Sequence, residues 1–355
     1  MKKIGILHGK ERTFPQALVA RINQKAEKGI VAEALLFDKV LQAQPLGFDV
    51  ILDRISQDVP FYRGMLKNAA ITGTAVINNP FWWSADEKFF NNSLAETIGV
   101  PVPRTALLPT NQLPASTSSE SFSNQAYPMD WSAIFNYVGW PAYFKPFDGG
   151  GWKNVYKLTG PDDFFRAYSE TGDLVMMLQE EIVFDAYYRC YCIGGKDVLI
   201  MPYEPRNPQH LRYEANFADD KKLLETIKNY TLALNQALGY DFNTVEFAVR
   251  DGIPIAIDFC NPAPDADVAS VGQANFDWVV EAAANMLIAR AKAHKDGQLN
   301  LTWGTFLQQA IVGKSLAAYK PDAKPDTKSA AKAETNAPAK ESTLKTAPAK
   351  PAAKK

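Results

Sequence analysis

The sequence predicts an α/β layer followed by a mixed α+β unit, closed by a disordered tail. Three observations carry this expectation. Short β-type runs alternate with helical ones through the first hundred residues, as in a parallel sheet with helices on its faces. From about residue 142, strands follow one another with few helices between them, as in antiparallel sheets. From Pro321 to Lys355 the chain is Ala, Lys, Pro, Thr and Ser with almost no large apolar residue. Such a segment buries too little surface to offset the entropy of ordering it.

The elements follow in order. Lys3–Leu7 reads as a buried strand, and Phe14–Lys28 carries helical spacing. Val31–Phe37 and Val50–Ile55 read as strands. Pro60–Thr72 reads as a helix with proline at its start, where a missing N–H removes no helical bond. Thr74–Ile77 is a further strand. Ser84, with Glu87 three places on, reads as a capping box that opens a helix to about Ile98. Gly99 stops that helix, and Pro101 and Pro103 bar its continuation. Asn111–Tyr127, rich in Ser, Pro, Asn and Gln, reads as a long surface loop. A helix at Trp131–Val138, a strand at Ala142–Lys145 and a glycine-rich turn come next. Then follow a strand at Val155–Leu158, a helix from Pro161 and a strand at Leu174–Ile182. Strands at Tyr187–Ile193 and Val198–Tyr203 precede a long helix at Asp220–Leu238. Asp251-Gly252 closes a hairpin of Thr244–Val249 and Ile253–Phe259. Helices are expected at Phe276–Lys292 and Trp303–Tyr319.

Composition narrows the function. A chain of 355 residues with 46% hydrophobic and 22% charged residues has the mix of a soluble globular protein and the length for a sizeable core. The net charge of −1 provides no global field, so neither a specific nucleic-acid partner nor a membrane partner is expected. The apolar run Ile4–Leu7 is too short for a signal-peptide core, and no stretch is long enough for a membrane helix. Three cysteines in a chain this long point to a reducing compartment, hence to the cytoplasm. Cys190 and Cys192 share one face of a strand and read as core filling. The tail holds eight lysines against four acids and reads as a solubilising segment, with weak electrostatic contact to an anionic polymer as the alternative.

Two segments could carry chemistry. In Tyr143–Leu158, Lys145 ends a strand and Asp148, Gly149, Gly150 and Gly151 follow. Phosphate oxygens need backbone N–H donors at close range, and consecutive glycines clear the approach. The lysine adds a point charge. A plain hairpin turn is an equal reading of the glycines alone, and the GK[ST] ending of a Walker A loop is absent. In Val245–Asp267, Glu246 and Asp258 lie on the two strands of one hairpin, with Asn261 soon after. Two carboxylates and an amide oxygen are hard ligands suited to Mg2+. The alternative is a pair of solvent-facing carboxylates bound to arginines.

Together these segments resemble the ATP-grasp superfamily of carboxylate–amine and carboxylate–thiol ligases, over roughly Lys2–Lys292. KPFDGGGWKNV is similar to the KP-x-D-G-x-G-G loop of the glutathione synthetase and ribosomal-protein-modification branch. That match implies Lys145 as a contact to the α- and β-phosphates. DEKFFNNSLAETIGVPVPRT resembles the family's DK…GxPxPxT segment, which implies Lys88 as the other phosphate lysine. FDVILDRIS and VINNP resemble the preceding domain, with Arg54 and Asn78 at its ends. LQEEIVF is similar to the linker strand whose backbone reads adenine. It implies Gln179, Glu180, Glu181 and Ile182 at the base and Asp185 at the ribose. YYRCYCIGGK is similar to the R-x-x-x-x-G-G-K strand, implying that Arg189 faces the substrate and the γ-phosphate, with Arg206 as a second phosphate arginine. Glu246, Asp258 and Asn261 match the magnesium ligands. The family's closing E-x-N-P is here Asp258-Phe259-Cys260-Asn261-Pro262, one residue longer and with Asp for Glu. A β-bulge would bring Asp258 and Asn261 to one ion. Otherwise Asp265 or Asp267 takes over.

The resemblance implies a pre-ATP-grasp parallel α/β domain over 1–108. A two-lobed ATP-grasp domain follows, with its small lobe at 109–182 and its large lobe at 183–319, and a disordered C-terminal tail occupies 320–355. It implies ATP, Mg2+ or Mn2+, and small-molecule carboxylate and amine substrates joined through an acyl phosphate with release of ADP. Oligomeric state is not legible in the sequence, and the resemblance admits a homodimer. A phosphotransferase on the same fold and a non-catalytic nucleotide-binding protein stay open.

Overall fold

Strands with apolar residues on both faces need cover on both sides, and the central strands of the first sheet carry such residues. Ile4, Ile6, Val50, Ile51, Leu52 and Ile77 are fully buried. The computed structural model describes residues 1–83, 87–148, 152–213, 217 and 220–295. In it β1 (Lys2–His8), β2 (Ile30–Ala34), β3 (Val50–Arg54) and β4 (Ala75–Ile77) pair in parallel in the order β2-β1-β3-β4. The crossover helices α1 (Thr13–Gln24) and α2 (Pro60–Ile71) bury Phe14, Leu18 and Ile22 on one face and Met65, Leu66 and Ala69 on the other.

A short helix α3 (Pro80–Trp83) and helix α4 (Lys88–Thr97) lead to the second sheet. The helix expected from Ser84 begins instead at Lys88. Glu87 is its cap, accepting hydrogen bonds from the N–H groups of Phe89 and Phe90 at 2.9 and 2.6 Å. A carboxylate there also faces the positive end of the helix dipole. Ser84 lies outside the described residues.

The second sheet is antiparallel, in the order β5-β8-β6-β7: β5 (Thr105–Leu108), β6 (Ala142–Pro146), β7 (Tyr156–Leu158) and β8 (Met176–Glu180). Helices α5 (Trp131–Val138) and α6 (Pro161–Ser169) cover one face with an aromatic cluster around Phe144 and Phe164. β5 was not expected. It is four residues long and follows two prolines, and its pairing with β8 sustains it.

The third sheet is also antiparallel, in the order β10-β9-β11-β12: β9 (Ala186–Ile193), β10 (Asp197–Pro202), β11 (Phe242–Arg250) and β12 (Ile253–Asp258). Helix α7 (Lys221–Leu238) covers one face. Asp220 caps its start, and Gly239, at φ 69°, closes its end. In the β11–β12 turn Asp251 and Gly252 have φ 54° and 74°, the double positive φ that a two-residue hairpin turn requires. After a short helix α8 (Val268–Val271), helix α9 (Gln273–Ala293) packs in one core with α1, β1, β3 and β9. Cys190 and Cys192 are buried free thiols, as core filling predicts.

Two residues from the ends of the first sheet tie it to the third. Asn78, just after β4, accepts from the N–H groups of Asp241 and Phe242 and donates to Phe242 O and Pro262 O. Arg54, at the end of β3, forks onto Glu11 and donates to Pro264 O at 2.6 Å, and its guanidinium lies over the rings of Phe14 and Phe242. All the described residues belong to one compact unit. The expected helix at Trp303–Tyr319 and the tail lie outside the described residues. No described helix is long and apolar enough to cross a membrane.

Candidate functional site

Residues directly opposite one another in a ladder point to the same face of the sheet. Arg189 on β9 pairs with Glu246 on β11, and Glu246 pairs with Asp258 on β12. The last pairing depends on an irregularity. Phe247 pairs with Ala256, but the next residue, Glu246, pairs with Asp258, so β12 carries one extra residue, Ile257. Without this bulge Ile257 would face Glu246, and Asp258 would point to the opposite side. The bulge therefore lies just before Asp258, at Ile257.

Asn261 is held beside the first half of β11. Its N–H donates to Asn243 Oδ1 at 2.8 Å and its Nδ2 to Thr244 O at 3.3 Å, so Oδ1 is the oxygen left for a cation. Asp265 accepts from the N–H of Asp267, and Asp267 caps α8. Both substitutes are thus engaged in a local turn. Among the described residues no cluster of three or more His, Cys, Asp or Glu side chains could hold a metal. A cation here would rest on Glu246, Asp258 and the Asn261 amide oxygen.

Lys88 closes the row from above, its Nζ donating to Asp258 Oδ1 at 3.2 Å. The backbone explains its position. Lys88 N–H donates to Phe147 O at 2.8 Å, which docks the start of α4 on the segment that leaves β6 two residues after Lys145. Burial pushes the Lys145 ammonium down to about 8, and Lys88 pushes the same way, against the attraction of Asp258 and Glu246. Asp258 raises Lys88, against burial. Burial raises the Glu246 carboxyl, with Asp258 adding to the effect and Arg189 opposing it. Burial would also raise Asp258, but Lys88 and Lys145 hold it below the usual carboxylate range. Three cations thus surround two carboxylates.

Sequence reasoning missed two tyrosines. Tyr187 O–H donates to Glu246 Oε2 at 2.7 Å, and Arg189 Nη1 donates to Tyr213 OH at 2.9 Å. Tyr187 lies two residues before Arg189 on a strand, and the two-residue period could have placed it on the same face.

The other predicted residues are placed as follows. Gln179 is buried and donates to Thr105 Oγ1. Glu180 bridges Arg104 and Arg250 at 3.0 and 2.9 Å, and Glu181 accepts from Lys157. The N–H groups of Glu180 and Glu181 already donate to Arg104 O and Pro141 O. Of the N–H groups of Glu180, Glu181 and Ile182, that of Ile182 has no partner among the described residues. The side chains of Asp148 and Asp185 are exposed. Arg206 is not brought to the row: its guanidinium forks onto Glu204 at 2.7 and 2.6 Å and lies over the Phe184 ring. Gly149, Gly150 and Gly151 lie outside the described residues.

No protein-family model matches the sequence, and no curated protein matches it. Solved structures do. A RimK-domain ATP-grasp protein from Sphaerobacter thermophilus DSM 20745 superposes with a TM-score of 0.57 at 16% identity, covering 81% of this chain and 99% of that one. D-alanine–D-alanine ligase from Bacillus anthracis gives 0.55 at 16% identity, over 82% of this chain and 98% of that one. The ATP-grasp ligase PsnB complexed with a minimal precursor gives 0.55 at 15% identity, over 81% and 99%. The three successive sheets superpose on these structures over 81–82% of the chain, which gives it the ATP-grasp fold.

Proposed function

We propose that this chain is an ADP-forming ligase that activates a carboxylate with ATP and passes it to an amine on an amino acid or peptide-like substrate. The observation that carries the reading is the row Arg189–Glu246–Asp258, with Lys88 on Asp258 and Lys145 beside both. Its chemistry suits a nucleotide triphosphate with a divalent cation: several positive groups for phosphate oxygens, and hard oxygen ligands for Mg2+ or Mn2+. The fold supports ATP-dependent ligase chemistry in general. A D-alanine–D-alanine ligase and a ligase complexed with a precursor among the similar structures favour amino-acid or peptide substrates.

Lys88 and Lys145 would hold the phosphates, and Arg189 would face the γ-phosphate. Glu246, Asp258 and Asn261 Oδ1 would hold the cation, which when bound neutralises charge between the phosphates. A carboxylate oxygen of the substrate attacks the γ-phosphorus, the bond to the β-phosphate oxygen breaks, and ADP leaves. The amine nitrogen then attacks the acyl carbon, the bond to the phosphate oxygen breaks, phosphate leaves, and the nitrogen loses a proton to solvent. The barrier to the first step is charge crowding among anions, so fixed cations lower it where the charge develops. No side-chain nucleophile is needed. All three cysteines are free thiols, in keeping with a proposed cytoplasmic setting.

The test is a screen of amino acids and short peptides, singly and in pairs, for ADP release with ATP and Mg2+. The expected result is release that requires both substrates and is lost in Lys145→Ala. Release with one substrate alone would mean a phosphotransferase. Magnesium-dependent ATP binding without turnover on any pair would mean a non-catalytic binder.

A further inference from the structure

Glu246 is held from two sides. Its Oε2 accepts the Tyr187 hydroxyl at 2.7 Å, and its Oε1 lies 3.7 Å from Arg189 Nε. Tyr187 reaches it diagonally. Arg189 is the direct partner of Glu246, while Tyr187 is opposite Ala248, two places along on the same face. That diagonal is one an aromatic side chain can span.

The ring of Tyr187 is buried in an apolar cluster with Ile182, Tyr203, Ala248 and Ile255. Its centroid lies 5.1 Å from Phe184 and 5.9 Å from Tyr203. A phenylalanine would fill the same space. The hydroxyl therefore adds nothing to packing, and its hydrogen bond goes to Glu246. A carboxylate directly opposite another carboxylate is repelled by it and gains rotamer freedom unless something holds it. A donor on Oε2 fixes the rotamer and draws charge from that oxygen, while Oε1 stays 3.7 Å from Arg189 Nε.

We infer that Tyr187 is a positioning residue, whose hydroxyl holds Glu246 in the orientation that receives a divalent cation and whose ring packs with Ile182 in the segment after β8. This rests on the proposed role of Glu246 as a cation ligand. Partners that orient a metal ligand commonly change metal affinity by about 10–100-fold when removed. The bland alternative is a core tyrosine whose hydroxyl took the nearest acceptor, in which case only stability depends on it.

The test uses the full chain with Tyr187→Phe, Glu246→Gln and the double variant. Mn2+ binding to each protein–ADP complex is measured by water-proton relaxation, ADP binding is measured in EDTA, and thermal unfolding is followed without ligand. Tyr187→Phe is expected to weaken Mn2+ binding by about 10-fold or more. ADP binding in EDTA stays unchanged, and the double variant is no weaker than Glu246→Gln alone. Unchanged Mn2+ affinity in Tyr187→Phe, with loss in Glu246→Gln, overturns the inference and leaves the ligand role of Glu246 standing. Unchanged affinity in both variants overturns the ligand role itself.

Discussion

A half-buried lysine that waits for an anion leaves a signature in pH. Lys145 has no carboxylate within hydrogen-bonding distance among the described residues, and burial with Lys88 nearby holds it at about 8. A nucleotide phosphate placed against it would restore the pKa toward or above the ordinary lysine value, so binding takes up a proton where free Lys145 is neutral. Between pH 7.5 and 9.5 the protonated fraction of a group titrating near 8 falls about 20-fold, and nucleotide affinity should fall with it by about 20-fold. The assay is calorimetric titration of a non-hydrolysable ATP analogue with Mg2+, in two buffers of different ionisation enthalpy. Lys145→Met should bind weakly, with a flat profile. The same substitution should raise the unfolding temperature of the ligand-free protein at pH 7. The sign follows from linkage: the folded value lies below the unfolded one, so the folded chain binds fewer protons than the unfolded chain between about pH 8 and 10.5. The contribution of Lys145 to stability therefore rises with pH through that window and is least favourable below it. Affinity that does not change from pH 7.5 to 9.5, or a slope that survives in Lys145→Met, would refute the reasoning.

Two further outcomes are expected. Asp258→Asn removes the partner of Lys88 and one of two carboxylates, and should cut ADP release by more than about 100-fold, beyond the usual effect of an orienting partner. An unaltered Mg2+ concentration dependence in that variant would count against the cation site. Arg54→Ala strips a guanidinium whose side chain is 2% exposed and leaves Glu11 unpaired at the seam between the first and third sheets. It should cost about 3–5 kcal/mol in urea unfolding, and a loss below about 1 kcal/mol would place Arg54 with ordinary surface pairs.

How much of this was legible in the sequence depended on the range of the interaction. The hairpin of β11 and β12 was legible because Asp251-Gly252 sets its turn locally. Its bulge was not. Ile253, Pro254, Ile255, Ala256 and Ile257 are apolar on both faces, so no alternation fixes which residue faces Glu246. The local engagement of Arg206 was not legible because its partner, Glu204, is set by the conformation of the loop they share. Glu180 and Glu181 looked like free linker backbone, yet their N–H groups go to Arg104 and Pro141, some 76 and 40 positions away. Tyr187 carries no polar signal beside Arg189 and reads as core, which its ring is. The short strand β5 is held by β8, and propensity after Pro101 and Pro103 speaks against it.

The ligand-free arrangement also constrains how the site would fill. Lys88 donates to Asp258 Oδ1, one oxygen of a carboxylate proposed to hold a divalent cation. A cation entering between Glu246 and Asp258 competes with Lys88 for the charge of that carboxylate. Displacing Lys88 leaves its ammonium beside Lys145 without a counter-charge, and two neighbouring ammonium groups in a half-buried site repel each other. The repulsion is relieved if phosphate arrives with the cation. Cation and nucleotide should therefore bind with positive coupling, each tightening the other by the same factor. Free Mn2+ would bind weakly without nucleotide, because only then must it bear the full cost of releasing Lys88. In Lys88→Met that cost disappears, so Mn2+ should bind more tightly in the absence of nucleotide while the coupling shrinks. Equal coupling in the two proteins would mean that the Lys88–Asp258 contact takes no part in loading the site.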